Sequence, residues 1–203
     1  MEQTKQYEYV DLGLPSGLKW AKCNVGATSE TDYGDYFQWG STEPNTADEC
    51  NWADAPFNNG LDSYNEEYFT THKSEWLDSK NNLKSEFDAA RAIMGGDWRM
   101  PTKAEFDELL SGTTNEWVTN YKGTGVNGMK FTSKTDTSKY IFIPAADNYD
   151  NGSVDNVGKF GLVWSSSLYT SDSLQAWYLD FDSVYCGMAG NYRYNGQSVR
   201  GVL

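Results

Sequence analysis

Three thiols and one imidazole are the most reactive side chains of this chain, and their placement argues against most of the chemistry they could carry. Cys23, Cys50 and Cys186 are too few and too scattered for a disulfide framework, and an odd number leaves at least one thiol free. A thiol becomes a nucleophile when a neighbouring cation, metal or helix start lowers its pKa, and no such group is evident in sequence beside Cys186. His72 stands alone in a polar run and reads as a solvated loop histidine. The chain has no nucleophile elbow, phosphate loop or zinc-protease helix with which it could act. The acidic loop 147–158 places Gly152 sixth from Asp147, as a calcium loop would, but Tyr149 and Gly158 stand where oxygen ligands are required. Asn151-Gly152-Ser153 matches a glycosylation acceptor and reads more simply as a turn. No cofactor is therefore expected, and calcium elsewhere in so acidic a chain is left open without a motif to support it.

Charge excludes further classes. A net charge of −13 and an isoelectric point near 4.4 disfavour nucleic acid and anionic membranes, because both are bound by Lys and Arg that displace counterions. No apolar run approaches the roughly 18 residues of a membrane span. Residues 1–6 lack the basic start and apolar core of a signal peptide, so the chain reads as cytoplasmic or as a mature or trimmed form. With 38% hydrophobic residues, 8 Trp and 14 Tyr, the large apolar area is enough to offset chain entropy, so a folded single domain is expected across residues 1–203.

Any chemistry must be positioned by elements that the pattern only partly marks. Tyr7 to Leu12 reads as an opening strand, a turn follows at 13–17, and Leu18-Lys19-Trp20-Ala21 returns as the second arm of a hairpin. From 41 to about 80 periodicity is lost, and an acidic, Asn-rich irregular excursion is expected, pinned to the body by Trp52, Phe57, Tyr64, Tyr68, Phe69 and Trp76. Leu83, Phe87, Ala90 and Met94 recur at helical spacing before Gly95-Gly96, predicting a helix near 82–94. Thr102 followed by Glu105 is a capping box, and Phe106, Leu109 and Leu110 give one apolar face, predicting a second helix over 102–111. Residues 128–132 and 139–144 flank a polar turn and read as another hairpin. The order strands, two helices, strands makes an α+β domain.

The tail 161–203 is denser in Tyr, Asp, Ser and Asn than a core requires. Within 176–182, Trp177, Leu179 and Phe181 fall on one side as anchors, and Tyr178, Asp180 and Asp182 on the other, free to touch a ligand. Polar turns are expected at 170–173 and 187–191, and a final short strand at 197–203. Tyrosines spaced by Ser and Gly offer large amphipathic contact area with few rotors, which suits a binding face.

The run Asp97-Trp98-Arg99-Met100-Pro101-Thr102 to Phe106 resembles the helix start shared by formylglycine-generating enzymes and their non-enzymatic relatives. With Tyr9 to Trp20, Asn24-Val25-Gly26-Ala27, Tyr33 to Tyr36, Ile143 to Ala146, Trp164 to Ser167 and Gln197 to Arg200, the chain resembles, over nearly its whole length, the Fibrobacter succinogenes major paralogous domain of gut Bacteroidetes. The resemblance implies a C-type-lectin-like fold: two helices packed on small antiparallel sheets, termini close together, and an irregular face built mostly from C-terminal residues. It also implies an exported form, extracellular or at the cell surface. Glu43-Pro44-Asn45 spells a tripeptide of mannose-binding C-type lectins, far upstream of where that fold places its calcium, and is read as coincidence.

Some relatives are variable proteins of diversity-generating retroelements. On that pattern Trp164, Ser165, Ser166, Phe181, Arg193, Gly196, Ser198, Val199 and Arg200 would be framework. Tyr169, Ser171, Leu174, Gln175, Tyr178, Asp180, Asp182, Tyr185, Cys186, Ala189, Tyr192 and Tyr194 would be the diversified, ligand-binding positions. The resemblance thus implies a non-enzymatic adhesin-type protein that binds a protein or glycan. A fixed paralog with Tyr-rich loops would look alike in sequence, and two other classes stay open. One is a formylglycine-type oxidase, whose late cysteine pair this chain reduces to Cys186; the other is a structural surface domain without a diversified ligand.

Overall fold

The hairpin that opens the chain forms where its apolar residues and turn predict it. The computed structural model describes residues 6–150, 152–154 and 156–203, so the start of the N-terminus and the glycosylation candidate Asn151 lie outside the described residues. β1 (Tyr9–Asp11) pairs antiparallel with β2 (Lys19–Asn24), Val10 opposite Trp20. The turn between them is tied down from a distance: the Ser16 N–H and hydroxyl both donate to the Glu108 carboxylate, at 2.9 and 2.6 Å.

The excursion expected to be irregular contains a helix, α1 (Glu66–Trp76). Its start is well specified: the Asn65 side chain accepts the Tyr68 N–H, and Glu66 and Glu67 sit at the positive end of the helix dipole. The apolar stripe is too thin to register as a period, since Phe69 and Trp76 alone are buried, and tertiary packing supplies what propensity does not. His72 is therefore on a helix and not in a loop; its ring centre lies 4.3 Å from that of Tyr68 and its Nδ1 lies 2.8 Å from the Tyr68 carbonyl oxygen.

The helix predicted over 82–94 is shorter. A 3-10 turn (Ser85–Phe87) precedes α2 (Ala89–Met94), because Asp88 caps the helix by accepting the Arg91 N–H and also accepts the Met100 N–H. Leu83 is drawn off to a backbone hydrogen bond with Ser166. α3 (Lys103–Gly112) starts at Thr102 with the expected capping box and buries Phe106 and Leu109. Three α-helices are thus present among the described residues instead of two.

β3 (Thr113–Val118), a strand with almost no apolar alternation, follows directly and pairs with β4 (Gly128–Ser133), which pairs in turn with β5 (Tyr140–Pro144) in the predicted hairpin. The short β6 (Asn148–Tyr149) lies inside the segment read as loop. The tail builds β7 (Gly161–Leu168), β8 (Gln175–Phe181) and β9 (Cys186–Tyr192), an antiparallel sheet in that order. β10 (Gly196–Gln197) pairs with β6, and β11 (Arg200–Val202) pairs with β2. Beyond β11, Lys19 and Leu203 exchange both backbone hydrogen bonds, so the C-terminal strand lies in the same sheet as β1. The architecture is α+β, with few helices and small antiparallel sheets.

The expected turn 187–191 is instead the body of β9, and the chain reverses at 182–185, where Asp182 Oδ1 accepts the N–H groups of Val184 and Tyr185. The glycines of β9 are there for clearance: a side chain at Gly190 would stand 2.9 Å from the Tyr169 ring. The β7–β8–β9 sheet is covered on both faces. On one, Trp164 and Tyr178 join a cluster with Trp39, Phe69 and Trp76; on the other, Val163, Leu179 and Phe181 pack with Trp20, Phe106 and Phe131. Burying each such ring stabilises by roughly 1.5–3 kcal/mol, which is why alternating polar spacing in β8 does not produce an exposed face.

Candidate ligand-binding groove

The tail meets the 51–64 segment around one buried cation. Arg193 is fully buried, and its guanidinium carbon lies 4.0 Å from the Phe69 ring centre, 5.4 Å from Tyr64, 5.7 Å from Trp52 and 5.9 Å from Trp39. Its Nε donates to the Ser173 carbonyl at 2.9 Å, and Nη1 reaches the Pro56 carbonyl at 3.5 Å. Among the described residues no carboxylate comes within ion-pair distance of it, so π faces and carbonyl oxygens carry the charge. Burial pulls its pKa down to about 10, which leaves it protonated at neutral pH. The effect is to fix 52–64, 173 and 193 relative to one another.

Above this anchor is an open cleft of about 610 Å³, walled by Trp52, Tyr64, Leu174, Tyr192 and Tyr194 and edged by Asn51, Asp62 and Ser63. Trp52 lies 5.2 Å from Tyr64 and 5.1 Å from Tyr194, ring centre to centre, and Tyr194 stacks on Tyr192 at 5.7 Å and 11°. Tyr194 is oriented by its hydroxyl, which donates to Asp150 Oδ1 at 3.2 Å. Three of the residues singled out in the tail, Leu174, Tyr192 and Tyr194, thus converge on one groove. Trp52 and Tyr64 complete it; in sequence they stood out as aromatic pins of the excursion, and they serve as pins and as wall.

The remaining positions do not join them. Ser171 is exposed in an adjacent cleft against α1. Tyr169 packs tilted against Trp177, ring centres 4.5 Å apart, and Gln175 donates to Asp172. Trp177, expected as an anchor, is half-buried with Lys103 Nζ 5.1 Å from its ring. Tyr178 is a correction: it is buried at 9% exposure, packed 6.1 Å from Trp164, and Ala189 lies opposite it in the pairing. Asp180 is half-buried, and its carboxyl is pushed up by burial and by the charge of Asp182. Asp182 and Tyr185 occupy the β8–β9 turn, the far end of a seven-residue strand and so roughly 20 Å from the groove. The twelve positions therefore do not form a single display face, because the sheet that carries them is packed on both sides.

The nine positions expected as framework, Trp164, Ser165, Ser166, Phe181, Arg193, Gly196, Ser198, Val199 and Arg200, are all buried. Arg200 donates to the carbonyls of Ala21 and Phe142. All three cysteines are free thiols. Burial holds Cys50 up at about 12, and burial with the Asp180 charge does the same for Cys186. Asn45 of the lectin-like tripeptide is spent internally, accepting the Gln38 N–H. No cluster of three His, Cys, Asp or Glu suited to a metal occurs among the described residues, and no helix there is long and apolar enough to cross a membrane. Comparison with family models, with curated proteins and with solved structures finds no match to this chain.

Proposed function

We propose that this chain is a non-enzymatic binding module of C-type-lectin-like fold, displayed at a bacterial or phage surface, that holds a protein or glycan ligand in the groove between the 51–64 segment and the tail. The observation that carries the reading is the convergence of Trp52, Tyr64, Leu174, Tyr192 and Tyr194 on one open cleft over a rigid buried anchor. Aromatic walls supply contact area, and Asn51, Asp62 and Ser63 supply hydrogen bonds at the rim, the division of labour found in recognition sites. No covalent step is required. The thiol of Cys186, held high and half-buried, is poorly suited to the cysteine chemistry of the formylglycine-type alternative.

The test is a glycan array and a displayed peptide library, probed with the native chain and with the Tyr192→Ala/Tyr194→Ala double variant. Ligands retained by the native chain should be lost by the variant at unchanged melting temperature. Ligands held equally by both would remove the groove from the function. Diversification has its own check: a near-copy of the 3′ coding region differing only at adenines, beside a reverse transcriptase gene. Without that arrangement the plain binding reading remains.

A further inference from the structure

The groove lies in an unusually one-signed part of the molecule. Residues 23–72 contain ten Asp and Glu and no Lys or Arg, and the two arginines of 160–203, Arg193 and Arg200, are both buried. Asp62 lines the cleft directly, Asp54 accepts a hydrogen bond from Asn51 on its edge, and Asp150 accepts one from the Tyr194 hydroxyl. An aromatic wall attracts a cation through its negative ring faces, and the attraction grows where carboxylates stand at the rim and water is partly excluded. These rings already do this once: the inner sides of Trp52 and Tyr64 hold the Arg193 guanidinium at 5.7 and 5.4 Å. Arg193 carries a charge that opposes a second cation there. It lies behind the rings, whereas the carboxylates of Asp54, Asp62 and Asp150 are on or beside the rim.

We propose, on the basis of the groove reading above, that the groove seats the Lys or Arg side chain of a basic peptide segment on a protein partner, its alkyl stem against Leu174 and Tyr192 and its charged head between Trp52, Tyr194 and Asp62. The negative field of the whole chain, at a net charge of −13, steers such a segment toward the site and turns away anionic glycans.

The experiment is a fluorescence-anisotropy titration of the intact protein with a labelled peptide carrying two arginines in a glycine-serine background, and with its citrulline twin, which keeps the shape and loses the charge. The arginine peptide should bind, the citrulline peptide about tenfold more weakly, and affinity should fall as NaCl rises from about 50 to about 300 mM. Tyr194→Ala should abolish the difference between the two peptides. Asp62→Asn, a change at an exposed side chain, should weaken the arginine peptide at an unchanged melting temperature. Equal affinity for the twins, or no binding of either, overturns the cationic partner. So does salt-sensitive binding that survives both variants, which would mark general attraction to an acidic protein. A neutral glycan or peptide that is held by the native chain and lost with Tyr192→Ala/Tyr194→Ala would leave the groove standing and remove the cation alone.

Discussion

The Arg193 guanidinium carbon lies 4.0 Å from the centre of the Phe69 ring, so a residue of the tail and a residue of α1 are held in contact through a cation and a ring face. The same guanidinium bonds the carbonyls of Ser173 and Pro56. One side chain therefore joins three segments that are remote in sequence. Arg193→Ala should cost about 3 kcal/mol or more, since it leaves a cavity lined by rings and strips partners from buried carbonyls. Arg193→Met, which keeps most of the volume, should cost less than half of that. Urea unfolding of both variants checks the ordering, and hydrogen exchange should show 52–64 opening first. If the two variants lose equal stability, the volume of the side chain is not what the rings require.

Gly40 and Phe57 form a second obligate pair. Phe57 has a φ of 66°, uncommon for a bulky residue, and its ring stacks on Trp76 at 4.5 Å while its edge fills the space a side chain at Gly40 would need. Gly40 itself has a φ of 92°, where an L side chain is strained whatever the space. Gly40→Ala should therefore destabilise by about 2–3 kcal/mol, measured as a lower urea midpoint with the slope unchanged. A neutral result would mean that the Phe57 ring moves freely, and the aromatic cluster beneath the 41–60 segment would be looser than its geometry states.

Much of this architecture is legible in the sequence, and the exceptions share a cause. The β1–β2 and β4–β5 hairpins and α3 announce themselves because local chemistry suffices: a turn, or the Thr102–Glu105 capping box. α1 and β9 do not, since their identity is decided by what packs on them. Glycines at 187 and 190 read as turn residues, but Gly190 is small because the Tyr169 ring lies over it. The groove was half legible: Tyr192 and Tyr194 stand out in a tail richer in Tyr than a core demands, and Leu174 enters with them through the family resemblance alone, whereas Trp52 and Tyr64 lie more than a hundred positions upstream, and only the fold brings them to the same cleft.

Asp180 gives the molecule a predictable pH dependence. Burial first, and the Asp182 charge second, raise its carboxyl above the ordinary value of 3.8, against a smaller opposing hydrogen bond from Tyr178. Between the unfolded value and the raised folded one, the native state binds more protons than the unfolded state, so this group's contribution falls as pH rises through that window. Above the folded value the penalty is complete; below the unfolded value it is gone. Asp180→Asn should thus raise stability at pH 7 by on the order of 0.5 kcal/mol, and the gain should vanish near pH 3. A variant less stable than the native chain at pH 7 would mean that the ionised carboxylate is an asset in β8.

Tyr178 and Tyr192 have the same side chain and belong to neighbouring strands, yet the fold assigns them opposite work. Tyr178 is 9% exposed and packs in the cluster of Trp39, Phe69 and Trp164, whereas Tyr192 is 45% exposed and walls the groove. Truncating the first removes a ring from a close-packed interior, so Tyr178→Ala should cost about 3–4 kcal/mol; truncating the second should change stability by no more than about 0.5 kcal/mol. Ligand capture should respond in the reverse order. Tyr178→Phe, which removes only the hydroxyl, should leave binding intact, while Tyr192→Ala should weaken it at an unchanged melting temperature. Binding that follows Tyr178→Phe and ignores Tyr192→Ala would place the contact surface along the β8 strand itself, and the groove against Trp52 would then be only the seam where the 51–64 segment is fastened to the tail.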